Sequence, residues 1–437
     1  MSKITGEIIK RVISEQRQNF LNTAGQIERD ILTHPDFSHW RALKEIIVIT
    51  GVRRSGKSFL LRLIWQKIQA TVPVAPDNFL YVNFDDEKMI NFKSADFDLL
   101  LETFYEIFKV NHHQNIFLFF DEIQNISGWE KFLNRLQESD KFKIFVTGSN
   151  ATLLSKEISS ALTGRNFSLT LYPLSFREFV NFKNKKLLDT RARHLTENRA
   201  QLKKLFNGYS ENGGFPEIVL NGYRPLLQEY LKNIIYRDIV LRRRIRHEFN
   251  LREIVAFVVS NIGVVLSLDN IAKMTGTKNL MTVKNYLGYL EDSFLFFNLP
   301  RHSYSIKQQI YNPDKIFTVD PGLYHEVSTA SSTNDGRLLE NIVFLELKRR
   351  SQTIFYFKEN NECDFVIQGK NKVMSAMQVT KSLDLSNRDR EINGLLEAVK
   401  KFNLKNGLIL TMDQSEVIKI KNQKITAMPI WQWLLEK

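Results

Sequence analysis

The chain has 437 residues, of which 43% are hydrophobic, so it is too long for one ordinary core and too apolar for a disordered protein. Its formal charge of +13 favours an anionic partner such as nucleic acid, a phosphorylated ligand or an anionic membrane surface, although a diffuse excess would also serve solubility alone. The single cysteine excludes an intramolecular disulfide and a cysteine-rich zinc site, so we expect a reducing, cytoplasmic setting.

The first half of the chain predicts a parallel sheet. Residues 1–43 have helical spacing and many charges, without the continuous apolar segment of a signal peptide, and predict a helical lead-in. In residues 44–175 the apolar runs "EIIVIT", "FLYVNF", "IFLFFDE" and "KIFVTGS" alternate with helix-like segments. Continuous apolar strands followed by helices indicate an α/β fold with a parallel sheet that is covered on both faces.

A glycine-rich segment follows the first of these strands. "GVRRSGKS" places Gly51, Gly56, Lys57 and Ser58 in the pattern of a phosphate-binding loop between a strand and a helix. In such a loop backbone N–H groups surround the phosphates, the lysine reaches the β- and γ-phosphates, and the Ser hydroxyl ligates Mg²⁺. An ordinary glycine turn is the alternative, but both flanks favour the phosphate loop. The predicted nucleotide-binding residues are Gly51, Val52, Arg53, Arg54, Ser55, Gly56, Lys57, Ser58, Phe59 and Ser149.

Acidic and polar residues follow the next strands. Asp121 and Glu122 end "IFLFFDE", where Asp121 would hold Mg²⁺ and Glu122 would activate the attacking water. An acidic turn that closes a buried strand is the alternative, and the phosphate loop argues against it. "KIFVTGSN" ends in Thr147, Ser149 and Asn150, whose side chains would sense the γ-phosphate or simply form a turn.

Two further features of this region keep alternatives open. Arg165 would stabilise transition-state charge in its own subunit or in a neighbouring one, or it is a structural arginine. Asp85 and Asp86, in "NFDDEK", would line the catalytic cleft or terminate a strand.

Residues 176–250 predict a helical extension, and residues 251–325 predict a winged helix-turn-helix. The apolar stretch Ile254–Leu268 is interrupted and too short for a membrane span. In the predicted recognition helix "NLMTVKNYLGYLEDS", Thr282, Lys284 and Asn285 would contact phosphates and base edges, with "RHSYSIK" as the wing. Winged helices also serve as lids or protein-binding modules, so DNA is one of two expectations.

A cluster of arginines precedes this segment, comprising Arg242, Arg243, Arg244 and Arg246. Their helical phases spread around the surface, which slightly favours a solvated face or an ion-pair network over a nucleic-acid contact.

Residues 335–437 predict a separate α/β domain with the order helix, three strands, helix, strand. This order resembles the PD-(D/E)xK nuclease core, which would place Glu340 as the helix acid and Asp364 as the strand acid. Gln378 and Thr380 then stand where that core has its second acid and its lysine, and Lys381 would face the opposite side of the strand. We therefore expect a degenerate restriction-endonuclease-like domain, with an active nuclease as the minority alternative.

Taken in order, "GVRRSGKS", "LFFDEIQNISGWEKFLNRL", "VTGSNATLLS", "LTGRNFSLTLYPLSFREF" and "GGFPE" resemble the AAA-superfamily P-loop ATPases of bacteria and archaea with a conserved C-terminal domain of unknown function. The resemblance covers nearly the whole chain. It implies Walker A positions at Gly51, Gly56, Lys57 and Ser58, Walker B positions at Asp121 and Glu122, a sensor at Ser149, and a candidate arginine finger at Arg165.

The resulting hypothesis is an ATPase that uses ATP and Mg²⁺ and whose nucleotide state controls the C-terminal half of the chain. DNA is the expected partner, and no membrane association is expected. A nucleotide-dependent protein-interaction switch, through a protein partner or a homo-oligomer, and an ATP-regulated nuclease are the alternatives.

Overall fold

The computed structural model describes residues 4–22, 27–33, 44–150, 166–327 and 335–436. The chain forms two compact units. The first runs up to Leu171 and includes Asp292–Phe294, and the second comprises Tyr172–Glu291 and Leu295–Lys437. Within the described parts of the chain, no helix combines the length and apolar character needed to span a bilayer.

The first unit contains a five-stranded parallel sheet with the order β2-β3-β4-β1-β5. Its strands are β1 (Ile46–Thr50), β2 (Phe79–Asn83), β3 (Ile116–Asp121), β4 (Phe142–Gly148) and β5 (Asn166–Thr170). Its helices are α1 (Gly6–Leu21), α2 (Lys57–Thr71), α3 (Phe97–Ile107) and α4 (Trp129–Gln137). This confirms the predicted parallel α/β sheet.

Continuous apolar strands form the centre of this unit because both faces of the sheet are covered. Every residue of β1 and β3 is buried. The N-terminal helix α1 is capped by the Thr5 hydroxyl, which accepts from the Ile8 N–H, and it packs its apolar face against β2 and α3.

The sequence predicted no strand at β5. Asn166, Phe167 and Ser168 of this strand are partly or fully exposed, because β5 lies at the edge of the sheet and, within the described part of the chain, pairs with β1 alone. A short polar edge strand lacks the apolar run by which the other four were recognised.

The second unit begins with helices α5 (Phe176–Asn184), α6 (Thr196–Asn212), α7 (Pro216–Asn221) and α8 (Leu226–Asn233), followed by a π-helical segment at Ile234–Leu241. The "GGFP" turn joins α6 to α7. A Cβ on Gly213, which has φ +76°, would lie 1.7 Å from Asp320 Oδ1, and one on Gly214 would lie 2.2 Å from the Leu174 carbonyl oxygen. The glycines therefore let three chain segments meet.

A three-stranded antiparallel sheet with the order β6-β8-β7 follows. The elements are α9 (Glu248–Ser260), β6 (Val265–Leu266), α10 (Leu268–Met274), α11 (Leu280–Asp292), β7 (Phe296–Leu299), α12 (Ile306–Tyr311), β8 (Asp314–Thr318) and α13 (Pro321–Val327). The predicted wing "RHSYSIK" is partly helical, because Ser305 caps α12 by accepting from the Gln308 N–H.

The last part of the chain forms a six-stranded mixed sheet with the order β13-β14-β12-β11-β10-β9. The elements are α14 (Asp335–Arg349), β9 (Thr353–Lys358), β10 (Glu362–Gln368), β11 (Val373–Val379), α15 (Arg388–Lys401), β12 (Asn406–Thr411), β13 (Glu416–Ile420), β14 (Gln423–Pro429) and α16 (Ile430–Leu435). The predicted order is present, and the hairpin β13–β14 is an addition that the sequence analysis missed. Residues of β13 alternate between half-buried and exposed, so its apolar signal is weak.

Candidate nucleotide site

The glycine-rich loop between β1 and α2 has the backbone geometry of a tight turn. Gly51 has φ +144°, and a Cβ there would lie 2.2 Å from the Leu171 carbonyl oxygen. Arg54 and Gly56 also have positive φ, and α2 begins at Lys57 immediately after Gly56. The loop therefore presents the N-terminus of a 15-residue helix at the carboxyl end of β1.

Lys57 is buried, and its ammonium group lies inside the loop. Lys57 Nζ donates to the carbonyl oxygens of Gly51, at 3.0 Å, and Val52, at 3.2 Å. Its distance to Glu122 Oε1 is 3.8 Å. The Lys57 ammonium group therefore lies between the carbonyl groups of the loop and the carboxylate of Glu122, which follows β3.

Arg29, which the sequence analysis did not single out, hydrogen-bonds the backbone of the loop. This buried arginine donates from Nη1 to the Ser55 carbonyl oxygen at 3.0 Å. The Ser55 hydroxyl is buried, and among the described residues it has no hydrogen-bond partner. A buried hydroxyl group without a hydrogen-bond partner suits a site in which a bound ligand supplies that partner.

Asp121 is fully buried at the end of β3, where two hydroxyl groups donate to its carboxylate. Tyr81 Oη donates to Asp121 Oδ2 at 2.9 Å, and the Thr147 hydroxyl donates to Oδ1. Burial raises the pKa of Asp121, and the neighbouring Glu122 adds to the increase, while the hydroxyl groups of Ser58, Thr147 and Tyr81 oppose it.

Glu122 has φ +52°, which lies in the left-handed region. Its backbone N–H donates to Thr147 Oγ1 at 3.0 Å, and its carboxylate accepts from Gln124 Nε2. Thr147 therefore contacts both acids, since it donates to one carboxylate and accepts from the backbone of the next residue. These contacts position both acids, and the predicted role of Thr147 as a phosphate sensor stays a prediction.

The other predicted residues lie around this centre. Ser149 and Asn150 are buried just after β4. Val52 is buried, Arg53, Ser58 and Phe59 are half-buried, and Arg54 is exposed. Arg165 lies outside the described residues, so its predicted role stays a prediction.

The two acids that follow β2 contact different parts of the first unit. Asp85 Oδ2 lies 4.0 Å from Arg53 Nη1, which brings it to the glycine-rich loop. Asp86 Oδ1 accepts from the Lys88 N–H at 2.9 Å and caps a short helical turn, and its Oδ2 accepts from Gln16 Nε2 at 2.9 Å. The predicted cleft position thus fits Asp85, and the predicted turn fits Asp86.

The donor set fits a phosphate group and a Mg²⁺ ion. The hydroxyl group of Ser58, which lowers the pKa of Asp121, and the Asp121 carboxylate are the hard oxygen ligands that Mg²⁺ takes beside phosphates. Lys57 and the N–H groups at the start of α2 supply the positive potential for the phosphates.

Comparison with known proteins agrees with this arrangement. A family model described as an AAA domain matches residues 43–180, and two models described as domains of unknown function, DUF8612 and DUF4143, match residues 203–334 and 335–433. The uncharacterized protein MJ1544 of Methanocaldococcus jannaschii is 38% identical over 410 residues, which cover 90% of this chain and 88% of the relative. The chain belongs to a family of AAA-domain P-loop ATPases.

An uncharacterized protein of Haemophilus influenzae is also similar to this AAA ATPase, with 31% identity over 401 residues that cover 90% of this chain and 94% of the relative. Among solved structures, Orc1 of Aeropyrum pernix in complex with DNA shares 12% identity with a TM-score of 0.31, covering 71% of this chain and 94% of that one. AMPPCP-bound DnaA of Aquifex aeolicus shares 16% identity with a TM-score of 0.28, covering 62% and 92%. Both structural likenesses are distant.

The predicted recognition helix of this AAA ATPase is α11. Lys284 and Asn285 on it are exposed, and Thr282 is half-buried. The guanidinium group of Arg243 lies 4.8 Å from the centroid of the Tyr289 ring on the same helix. The arginine cluster therefore adjoins α11, which the sequence analysis did not foresee.

The acids of the predicted nuclease remnant also come together, but around a cation that the sequence analysis missed. Glu340 and Asp364 are buried, and Lys315 Nζ of β8 lies 2.7 Å from Glu340 Oε1 and 3.3 Å from Asp364 Oδ1. Gln378 donates to Glu391 Oε2 at 2.7 Å. Lys381 lies beyond the end of β11 and pairs with Asp335 at 2.6 Å.

Proposed function

We propose that the chain binds ATP with Mg²⁺ at the loop 51–58 and hydrolyses it with Glu122 as the group that activates water. The observation that carries this proposal is the contact between the two halves of the site. Lys57 at the start of α2 lies 3.8 Å from Glu122, which follows β3, and the Ser58 hydroxyl favours the ionised form of Asp121 by lowering its pKa.

Each residue has a separate task. Lys57 would exchange its carbonyl acceptors for β- and γ-phosphate oxygens, and the Ser58 hydroxyl and Asp121 would hold Mg²⁺. The metal, when bound, neutralises charge that develops on the phosphate oxygens. Glu122 would accept a proton from the attacking water, and Ser149 would contact the γ-phosphate. Arg165 remains proposed as an arginine finger, supplied in cis or by a neighbouring subunit.

Replacement of Glu122 by Gln tests the assignment. The substitution keeps the size and the hydrogen-bonding capacity of the side chain but removes its basicity, so ATP binding should persist while turnover falls by about 100-fold or more. Steady-state phosphate release and ATP affinity measure the two effects. Glu102→Gln, an exposed change on α3, is the matched control and should behave like the parent. Unchanged turnover in Glu122→Gln would refute the assignment.

A second proposal concerns the output of the site. We infer that the nucleotide state controls a surface for DNA formed by α11, as the recognition helix of a winged helix-turn-helix, and by the arginine cluster. Its support is the Arg243–Tyr289 contact, which sets the cluster beside the exposed Lys284 and Asn285.

Turnover with and without duplex and single-stranded DNA separates this proposal from the alternatives. Stimulation by DNA supports coupling between the nucleotide site and the DNA surface. Indifference of turnover to DNA, together with absence of DNA binding, would favour a switch that contacts a protein or another copy of the chain. Metal-dependent cleavage that is abolished by Asp364→Ala would favour the nuclease alternative.

A further inference from the structure

Three carboxylates converge on one buried ammonium group in the second unit. Lys315 Nζ of β8 lies 2.7 Å from Glu340 Oε1 of α14, 2.8 Å from Glu362 Oε1 and 3.3 Å from Asp364 Oδ1, both of β10. The Lys315 side chain is only 2% exposed. We call these four residues the Lys315 cluster.

The position of Lys315 in its strand explains why the ammonium group needs these partners. β8 is the central strand of its sheet and pairs with both β6 and β7. A lysine buried there loses its hydration, which is tolerated only when its charge is paired and its donors are used. An ammonium group has three N–H donors, and the cluster offers three carboxylates.

One of the two buried carboxylates is also held by the backbone. Asp364 Oδ2 accepts from the Val379 N–H at 2.9 Å, and Glu340 Oε2 lies where a side chain on Gly263 would stand. Asp364 is therefore held in place by a contact that does not depend on Lys315.

Gln378, which stands where the second acid of the nuclease core was expected, takes no part in the Lys315 cluster. Its amide oxygen accepts from the Asp364 N–H at 3.3 Å, and its Nε2 donates to Glu391. With Lys315 in place, no group of three or more His, Cys, Asp or Glu side chains among the described residues has the arrangement of a metal site.

One positive charge against three carboxylates leaves an excess of negative charge in a place with little solvent. Hard oxygen ligands with excess negative charge are the surroundings that a divalent cation prefers.

We propose that the Lys315 ammonium group stands in the place of a divalent cation among Glu340, Glu362 and Asp364. The native cluster therefore binds no metal, and the lysine instead joins β8 to α14 and β10. Removal of the ammonium group converts the same carboxylates into a divalent-cation site.

Mn²⁺-dependent thermal unfolding of the full chain tests this proposal. Lys315→Met removes the charge and keeps an unbranched side chain. At Mn²⁺ about 100-fold above its Kd, the melting temperature of Lys315→Met should rise by about 5–10 °C. The parent and the double variant Lys315→Met/Asp364→Asn should show no such rise. Because all three proteins share the nucleotide site, Mn²⁺ bound there cancels in the comparison.

Two results would overturn the proposal. One is a Mn²⁺ response of the parent that Asp364→Asn removes, since the lysine would then not exclude the ion. The other is a folded Lys315→Met protein that does not respond to Mn²⁺.

A second variant keeps the test decisive if Lys315→Met does not fold. Lys315→Met/Glu340→Gln removes one charge from each side of the cluster, so it should melt above Lys315→Met, or fold where that variant does not. Failure of this double variant to recover any stability would show that Lys315 is not the counter-cation of these acids.

Discussion

At the scale of single residues, the nucleotide site depends on hydroxyl groups that hold Asp121. Tyr81 and Thr147 donate hydrogen bonds to this carboxylate, and Ser58 also favours its ionised form, although burial opposes that form. A carboxyl group must lose its proton before it can ligate a metal. These hydroxyl groups therefore stabilise the ionised form of Asp121, which the proposed reaction needs.

Tyr81→Phe should weaken this support without creating a cavity. The loss of one hydrogen bond to a carboxylate is worth about 1.5–3 kcal/mol, so the Mg²⁺ concentration for half-maximal turnover should rise by about 10-fold or more. The pKa of Asp121 should rise further, which moves the acidic limb of the turnover profile to higher pH. Mg²⁺ titrations at several pH values measure both effects. Tyr105→Phe, on an exposed ring, is the control, and a Tyr81→Phe profile that overlays the parent would contradict the role given to Tyr81.

At the scale of elements, the "GGFP" turn between α6 and α7 is a junction in the second unit. Leu174 donates its N–H to the Gly214 carbonyl at 2.7 Å, and Asp320 accepts from the N–H groups of Gly214, at 2.7 Å, and Gly322, at 2.9 Å. Arg349 of α14 donates to the Pro173 carbonyl at 3.1 Å. The "GGFPE" segment therefore has a structural role outside the nucleotide site.

Gly214→Ala should destabilise the second unit by about 2–3 kcal/mol, because its Cβ would collide with the Leu174 carbonyl, a backbone atom that has no room to move. Gly208→Ala is the matched control. Gly208 lies within α6 with nothing near its Cβ position, so alanine should add up to about 1 kcal/mol through helix propensity. Urea denaturation of the two variants should give changes of opposite sign, and equal stabilities would contradict the packing argument.

Asp320 should give this junction a dependence on pH. Burial raises the pKa of Asp320 to about 7 in the folded chain, against an ordinary value of 3.8. The folded state then holds a proton that the unfolded chain has released, so this group lowers the free energy of unfolding as pH rises from about 4 to about 7. Asp320→Asn lacks this contribution. Its unfolding free energy, though lower overall, should fall less between pH 5 and pH 8 than that of the parent, and parallel pH curves would contradict the shift.

At the scale of the whole molecule, the net charge of +13 includes the arginine cluster, of which Arg243 contacts Tyr289 of α11. If this surface binds duplex DNA, affinity should fall steeply with salt. Arg244→Gln/Arg246→Gln should reduce the slope of log affinity against log salt by about 2, whereas Lys419→Gln/Lys424→Gln, on the exposed hairpin β13–β14, should leave it unchanged. Fluorescence anisotropy at several salt concentrations measures the slope, and equal slopes for both double variants would remove the arginine cluster from the DNA surface.

The elements that the sequence predicted share one property, which is that their signal is local. β1 to β4 are continuous apolar runs, and the glycine-rich loop has its spacing within eight residues. Tyr81 and Lys315 were missed because their partners are distant in the chain. Tyr81 meets Asp121, 40 residues away, through the pairing of β2 with β3, and Lys315 meets Asp364, 49 residues away. In the sequence, each of them is a single tyrosine or lysine within an apolar strand, and no local pattern indicates which distant residue it contacts.

The close approach of Gly51 to Leu171 has a mechanical consequence. The Leu171 N–H donates to the Thr50 carbonyl at 2.7 Å, and its own carbonyl lies where a side chain on Gly51 would stand. Leu171 is also the residue at which the chain leaves the first unit, since Tyr172 already belongs to the second. Any side chain at position 51 would therefore collide with the Leu171 carbonyl, so it would distort the glycine-rich loop and the last residue of this segment of the first unit together.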